Sequence, residues 1–293
     1  MKAIIFGSNG QDGFYLNILL KSLGIEIFNV SRSGIEIKGD VSDYSFVSNL
    51  VKDNTPDYIF HFAANSTASH NALFENHKSI CDGTINILES VKIYSPLTKV
   101  FLSGSALQFK NTGNAINENT EFDASSVYSI ARIHSVYAGR YYREKLGLKV
   151  YVGYFFNHDS YLRSERHVCQ KIVRAVQRIK NGSEEILQIG NIDVMKEFNY
   201  AGDVVDAIWT LVNQNNIFEA VIGSGEAHSI KEWTKYCFES INKKWEKHVE
   251  INQSFVPEYD ILVSNPTVLK SLGWKPKFKF EDLADSMLKN LKQ

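Results

Sequence analysis

Residues 2–16 read Lys-Ala-Ile-Ile-Phe-Gly-Ser-Asn-Gly-Gln-Asp-Gly-Phe-Tyr-Leu, an apolar run that enters G-x-x-G-x-x-G and leaves it in a second apolar segment. No other feature constrains the fold as strongly. Gly7 permits a tight turn, Gly10 lets backbone approach a pyrophosphate, and Gly13 lets a helix pack closely on the preceding strand. The N-terminus of that helix offers unpaired N–H groups and a favourable dipole to an anion. The pattern predicts the opening of a dinucleotide-binding βαβ unit.

A second apolar run at 25–30 arrives where the next strand of such a unit belongs. It ends in Ser31-Arg32-Ser33, without the carboxylate that would hold a free ribose 2′-hydroxyl. A guanidinium between two hydroxyls suits a 2′-phosphate, so NADP(H) is expected over NAD(H), with Arg32 at the phosphate. Further strand-like runs at 58–62, 99–103 and 149–154 alternate with helical segments at 13–23, 44–52, 83–93 and 128–146. Such alternation predicts parallel strands joined by right-handed crossovers. Beyond residue 157 the pattern loosens to a helix over 168–181, a short strand at 187–190, and helices at 202–213, 230–242 and 280–289. The expected fold is α/β, a Rossmann-type doubly wound parallel sheet with a smaller mixed C-terminal substrate-binding lobe. The division falls at 1–156, with segments returning from the second half, and 157–293.

The chain carries 32 Lys and Arg against 33 Asp and Glu. That balance creates no field for nucleic acid or an anionic membrane surface. No apolar stretch reaches the ~20 residues of a membrane span, and the first residues read as a strand instead of a signal peptide. The expectation is a cytoplasmic protein with neither nucleic acid nor membrane as partner. Cys81, Cys169 and Cys237 are odd in number and far apart, which fits reduced thiols acting as small buried hydrophobes. His70, His77 and His134 lack metal-ligand spacing, so no metal is expected.

Further motifs follow in order: Gly39-Asp40-Val41, Phe62-Ala63-Ala64-Asn65-Ser66, Ser103-Gly104-Ser105, and Tyr128 opening a long helix. Then come Phe156-Asn157-His158-Asp159-Ser160, Gly190-Asn191-Ile192-Asp193 and Leu272-Gly273-Trp274-Lys275-Pro276. With the glycine loop, they resemble the extended short-chain dehydrogenase/reductases that act on nucleotide sugars. The resemblance is closest to GDP-mannose 4,6-dehydratase and GDP-4-keto-6-deoxymannose reductase, and it covers nearly the whole chain. It implies cofactor contacts from Gly7, Asn9, Gly10, Gln11, Asp12, Gly13, Arg32, Asp40, Val41, Ala63, Ala64, Ser66, Tyr128, Arg132, Phe155 and Asn157. It implies a nucleotide-diphosphate sugar as substrate, GDP favoured, near Ser105, Asn157, Arg163, Lys171 and Lys196. For Lys196, which replaces a clamping Arg of the family, a solvated loop lysine fits as well. A homodimer is also implied, through the helices that begin near Gly83 and Tyr128. Ile133, Val136, Tyr137 and Tyr141 recur at helical spacing there, although that stripe could equally face the chain's own sheet.

In this family a Ser or Thr holds the sugar oxygen, a Tyr gives or takes its proton, and a Lys supports the Tyr. Ser105 and Tyr128 match the first two. The Lys position, one helical turn on, is Arg132, which supplies the charge but not the geometry of an ammonium. In the dehydratases a Glu two residues after the Ser or Thr removes the proton that drives loss of water. Here that place is Leu107, which has no basic group. The family's later Arg before Pro257 is also absent, with Val256 standing there. The resemblance and its departures imply an NADP(H)-dependent reductase, or C4 dehydrogenase, of a 4-keto-6-deoxy nucleotide sugar for surface polysaccharide. A residual dehydratase or epimerase, and a non-catalytic NADP(H)-binding sensor, remain as alternatives.

Overall fold

The computed structural model describes residues 1–33, 36–252 and 254–289. The first half runs β1 (Lys2–Phe6), α1 (Gln11–Ser22), β2 (Glu26–Ser31), β3 (Ile37–Lys38), α2 (Tyr44–Asn54), β4 (Tyr58–His61), α3 (Leu73–Asn76), α4 (Gly83–Tyr94), β5 (Lys99–Ser105), α5 (Val127–Leu146) and β6 (Lys149–Phe155). A π-helical stretch, His77–Asp82, joins α3 to α4. The second half adds β7 (His158–Asp159), α6 (Val168–Lys180), β8 (Leu187–Ile189), β9 (Met195–Glu197), β10 (Asn199–Tyr200), α7 (Ala201–Val212) and β11 (Glu219–Ile222). It closes with β12 (Ala227–Ser229), α8 (Ile230–Glu239), β13 (Val249–Ile251), β14 (Ile261–Leu262), α9 (Thr267–Ser271) and α10 (Phe280–Lys289).

Seven strands make one sheet in the order β3-β2-β1-β4-β5-β6-β11, each pair parallel. Period-two alternation distributes the strand residues between its two covered faces. On β1, Ile4 and Phe6 pack with Val47 of α2, Ile87 of α4 and Val136 of α5. Ala3 and Ile5 pack with Leu16 of α1 and Ile208 of α7 on the other side. Because β1 has β2 on one flank and β4 on the other, the loops leaving their carboxyl ends diverge and open a crevice. Everything that follows about the site depends on that crevice.

The seven-stranded parallel sheet agrees with the expected α/β class, and the five expected sheet strands appear within two residues of their predicted ends. Three details differ. Helix α1 begins at Gln11 instead of 13, since the helix starts inside the glycine loop. Helix α8 ends at Glu239, well before 242, where Asn242 turns to a left-handed φ of 57°. Two of the seven strands, β3 and β11, were not foreseen: two and four residues are too few to display a period.

What holds β11 in place is electrostatic as well as apolar. Glu219 accepts from Arg140 Nε at 2.9 Å and Nη2 at 2.7 Å, from Arg143 Nη2 at 2.7 Å, and from the Tyr154 hydroxyl. Burial alone would raise this carboxyl, but those donors hold it down to about 2. The network ties the returning strand to α5, the helix that carries Tyr128. Elements outside the sheet layers keep a core of their own, with Ile172, Val176, Trp233, Phe238 and Met287 buried together. All three cysteines are buried, and burial raises each thiol. Among the described residues no helix is long and apolar enough to cross a membrane.

Candidate active site

At the nucleotide end, β1 exits into Gly7 with φ of 89°, where a Cβ would lie 2.7 Å from the backbone nitrogen of Ala63. A Cβ on Gly13 would lie 2.6 Å from Ser8 Cα. Loop, strand end and helix therefore meet with no room for a methyl group. Gly10 is the N-cap of α1 and supplies no side-chain cap, so the first-turn N–H groups remain open to an anion. Gly7, Asn9, Gly10, Arg32, Asp40, Val41, Ala63 and Ala64 line one hollow of about 300 Å³ here. Open N–H donors, a backbone stripped of side chains and one guanidinium fit a dinucleotide. Gln11 has another position: it is buried, donates to the His158 carbonyl at 3.4 Å and accepts from Ser160 Oγ at 2.7 Å.

A second cleft, about 460 Å³, opens beyond the ends of β4, β5 and β6 and brings together Asp12, Ser66, Ser105, Tyr128, Arg132, Phe155, Asn157, Arg163 and Lys196. Ser105 caps a short helical turn, accepting from the Leu107 N–H at 3.2 Å, while its own N–H donates to Gln108 Oε1 at 2.8 Å. Its oxygen is thereby fixed and its O–H remains a donor for the cleft. Tyr128 lies in the first turn of α5, behind the N-cap Ser126, whose Oγ accepts from the Ser129 N–H at 3.1 Å. The Arg132 guanidinium stands over the face of the Tyr128 ring, 5.1 Å from its centroid. Its Nη1 donates to the Ser103 carbonyl and, at 2.8 Å, to Ser103 Oγ. Arg132 thus buttresses the ring and β5 together, a role a slender ammonium could not fill in the same way. Burial and the Arg132 charge push the neighbouring His61 down to about 3, so this histidine is neutral at pH 7. Leu107 lines the same cleft.

At the lobe end, Arg163 Nε donates to Asp159 Oδ1 at 3.3 Å and Nη2 to the His158 carbonyl at 3.1 Å. Lys196 lies on β9 and is 7% exposed, which removes the solvated-loop reading. Burial disfavours its ammonium, yet Cys169 and Asp159 outweigh it and raise the group; Asp159 is the partner that is charged at neutral pH. Lys171 is not brought to the cleft. Its Nζ donates to the Gln188 carbonyl at 2.6 Å, because α6 turns that face toward β8. Val256, in place of the family's Arg, is 85% exposed. The cleft also contains residues the sequence reading left without a role: His158, Asp159, Arg166, His167, Glu258 and Tyr259. The first two stood inside a quoted motif, but nothing local revealed their partners.

The most consequential of those partnerships joins His158 Nε2 to Asp12 Oδ1 at 2.9 Å, across 146 residues. Burial alone would raise Asp12; His158 and Arg163 hold it below the usual carboxylate range. Burial alone would lower His158; Asp12 more than compensates and raises it. The raised His contributes stability that is full below about 6.5 and lost as pH climbs through its folded value. The lowered Asp contributes above about 3.9 and is lost as pH falls. The pair therefore serves best between those limits, where it also neutralises a carboxylate in the first turn of α1. The His158 ring, followed by NMR, is expected to titrate above 6.5 in the wild type and at lower pH in Asp12→Asn, where only the Phe156 carbonyl opposes burial and Arg163. An unchanged midpoint would contradict the pairing.

Residues 4–287 match the family model of GDP-mannose 4,6 dehydratase. "GDP-mannose 4,6 dehydratase 1" of Arabidopsis thaliana is 30% identical over 98% of this chain and 88% of its own length. The human "GDP-mannose 4,6 dehydratase" is 26% identical over 98% and 90%. Among solved structures, RMD from Pseudomonas aeruginosa complexed with NADPH superposes with TM-score 0.85 at 19% identity, covering 98% of this chain and 96% of that one. The dTDP-glucose 4,6-dehydratase of Bacillus anthracis in complex with NAD superposes with TM-score 0.86 at 17% identity, covering 99% and 96%. At those identities the two structures speak for the fold alone. The chain belongs to the GDP-mannose 4,6-dehydratase family, within the extended short-chain dehydrogenase/reductases.

Proposed function

We propose that this protein is a cytoplasmic NADP(H)-dependent reductase, or in reverse a C4 dehydrogenase, of a GDP-linked 4-keto-6-deoxy sugar that feeds surface polysaccharide. One observation carries the reading: Ser105 and Tyr128 share the cleft with Leu107, an apolar side chain at the place where the family's elimination base stands. When bound, the cofactor supplies or accepts the hydride at C4. The chain's own residues do the rest. Ser105 donates its hydroxyl proton in a hydrogen bond to the C4 oxygen, which draws charge off the carbonyl carbon. Tyr128 transfers its phenolic proton to that oxygen as the C–O double bond becomes a single bond, so that the product is an alcohol. Arg132 keeps the Tyr128 ring in place from its face. Arg163 and Lys196 put cationic charge where a nucleotide diphosphate would lie; the buried Asp159 holds Arg163 in position and attracts the Lys196 charge.

Elimination makes a further demand, removal of a proton from the carbon next to the ketone. Of the carboxylates that line the cleft, Asp12 is committed to His158 and Asp159 to Arg163, while Glu258 belongs to the loop between β13 and β14. The 4,6-dehydration of GDP-mannose is the second reading, favoured by the family match across 4–287. The two separate in one assay. The reductase reading expects NADPH oxidation with a GDP-4-keto-6-deoxyhexose, no water release from GDP-mannose, and a loss of at least ~10² in rate for Tyr128→Phe. Robust dehydration of GDP-mannose would overturn it. Tight cofactor binding with no turnover of any keto sugar would favour the sensor.

The helical stripe on α5 divides. Val136 is 1% exposed and belongs to the sheet core and Ile133 is half-buried, whereas Tyr137 and Tyr141 stand 57% and 55% exposed, beside Ile130, outside the stripe, at 51%. We propose that this outer row, with α4, pairs two chains into a homodimer. Light scattering at micromolar concentration is expected to give the mass of two chains; the mass of one would contradict the pairing.

A further inference from the structure

At the rim of the hollow that would hold the adenosine end, the lining residue Arg32 makes an ion pair the family resemblance does not call for. Arg32 Nη2 donates to Glu75 Oε1 at 2.8 Å. Glu75 is 38% exposed and Arg32 62%, yet the carboxylate is held on its own side of the pair. Its other oxygen accepts from Asn65 Nδ2 at 2.8 Å, and its backbone carbonyl accepts from Ser79 Oγ at 2.7 Å. Ser79 itself lines the hollow with Arg32. Asp40, which lines the same hollow, also acts on the Arg32 charge.

The guanidinium of this hollow suited to a 2′-phosphate therefore feels two carboxylates, and one of them already takes its Nη2 donor. A dianionic phosphate arriving at Arg32 must share that donor and lie within several ångströms of the Glu75 charge. A free ribose 2′-hydroxyl pays neither penalty and is itself a donor that Glu75 can accept. We propose that Glu75 is the residue that sets cofactor choice in this chain: its carboxylate moderates the NADP(H) preference conferred by Arg32 and leaves NAD(H) usable. This rests on the reading of the hollow as a dinucleotide site.

The direction follows from charge. One like charge near a dianion in nearly aqueous surroundings corresponds to a ~3- to 10-fold change in affinity. The test is titration of NADPH and NADH against the wild type, Glu75→Gln and Glu75→Asp by direct binding, without substrate. Glu75→Gln is expected to tighten NADPH by ~3- to 10-fold while moving NADH less than ~2-fold. Glu75→Asp, which keeps the charge, is expected to stay near the wild-type ratio, and this separates charge from disturbed folding. At about 1 M salt, where screening acts over ~3 Å, the gain in Glu75→Gln is expected to shrink. An unchanged or reduced NADPH-to-NADH affinity ratio in Glu75→Gln overturns the proposal, a reduced ratio showing that Glu75 only positions Arg32. A wild type that binds neither cofactor overturns the dinucleotide reading and the proposal with it.

Discussion

The close contact between α1 and the end of β1 is the constraint on which the rest of this structure depends. At Gly13 even a methyl group would meet Ser8 at 2.6 Å, and at Gly7 the backbone of the β4 exit at 2.7 Å. Only glycine allows three elements to converge there, and their convergence aims the uncapped N-terminus of α1 into the crevice between β1 and β4. Ser105 at the end of β5 and Asn157 just beyond β6 reach that crevice because parallel strands all present their carboxyl ends on one side. A chain with a side chain at Gly13 would have to open the joint and would lose the anion site along with the packing.

Electrostatics then refine what the backbone positions. Three carboxylates close to the crevice are matched by a cation: Asp12 by His158, Asp159 by Arg163, with the Lys196 charge acting on it as well, and Glu75 by Arg32. In the buried cases one partner left alone would be costly, so each pair stabilises the wall only when complete. The same economy explains Arg132. A guanidinium only 4% exposed beside the Tyr128 ring gives hydrogen bonds to Ser103, and burial together with its charge keeps His61 neutral. Tyr128, proposed as the proton donor, and the sheet are thereby coupled through one side chain.

The sheet was legible in the sequence because its strands are long enough to show continuous apolar runs and its helices long enough to show period. The glycine spacing named the cofactor loop, and the ordered motifs named Ser105 and Tyr128. Three things escaped. Strand β11 is short, and its fixing residue Glu219 finds Arg140 and Arg143 far away in sequence. The Asp12–His158 pair spans the two halves of the chain, so no window contains it. Lys171 and Lys196 looked alike as lysines, yet helix α6 turns the first toward Gln188 and strand β9 buries the second. Residue type and local pattern do not encode which way a folded surface faces.

The account's central claim is that hydride moves at C4 while no proton is drawn from the neighbouring carbon, because Leu107 supplies no base. Turnover of a GDP-4-keto-6-deoxyhexose with NADPH in deuterium oxide, read by NMR of the product, addresses it directly. The claim predicts a C4 alcohol whose C4 hydrogen comes from the cofactor and whose C5 carries no deuterium. Deuterium at C5, or a keto sugar formed from GDP-mannose in the same buffer, would contradict it.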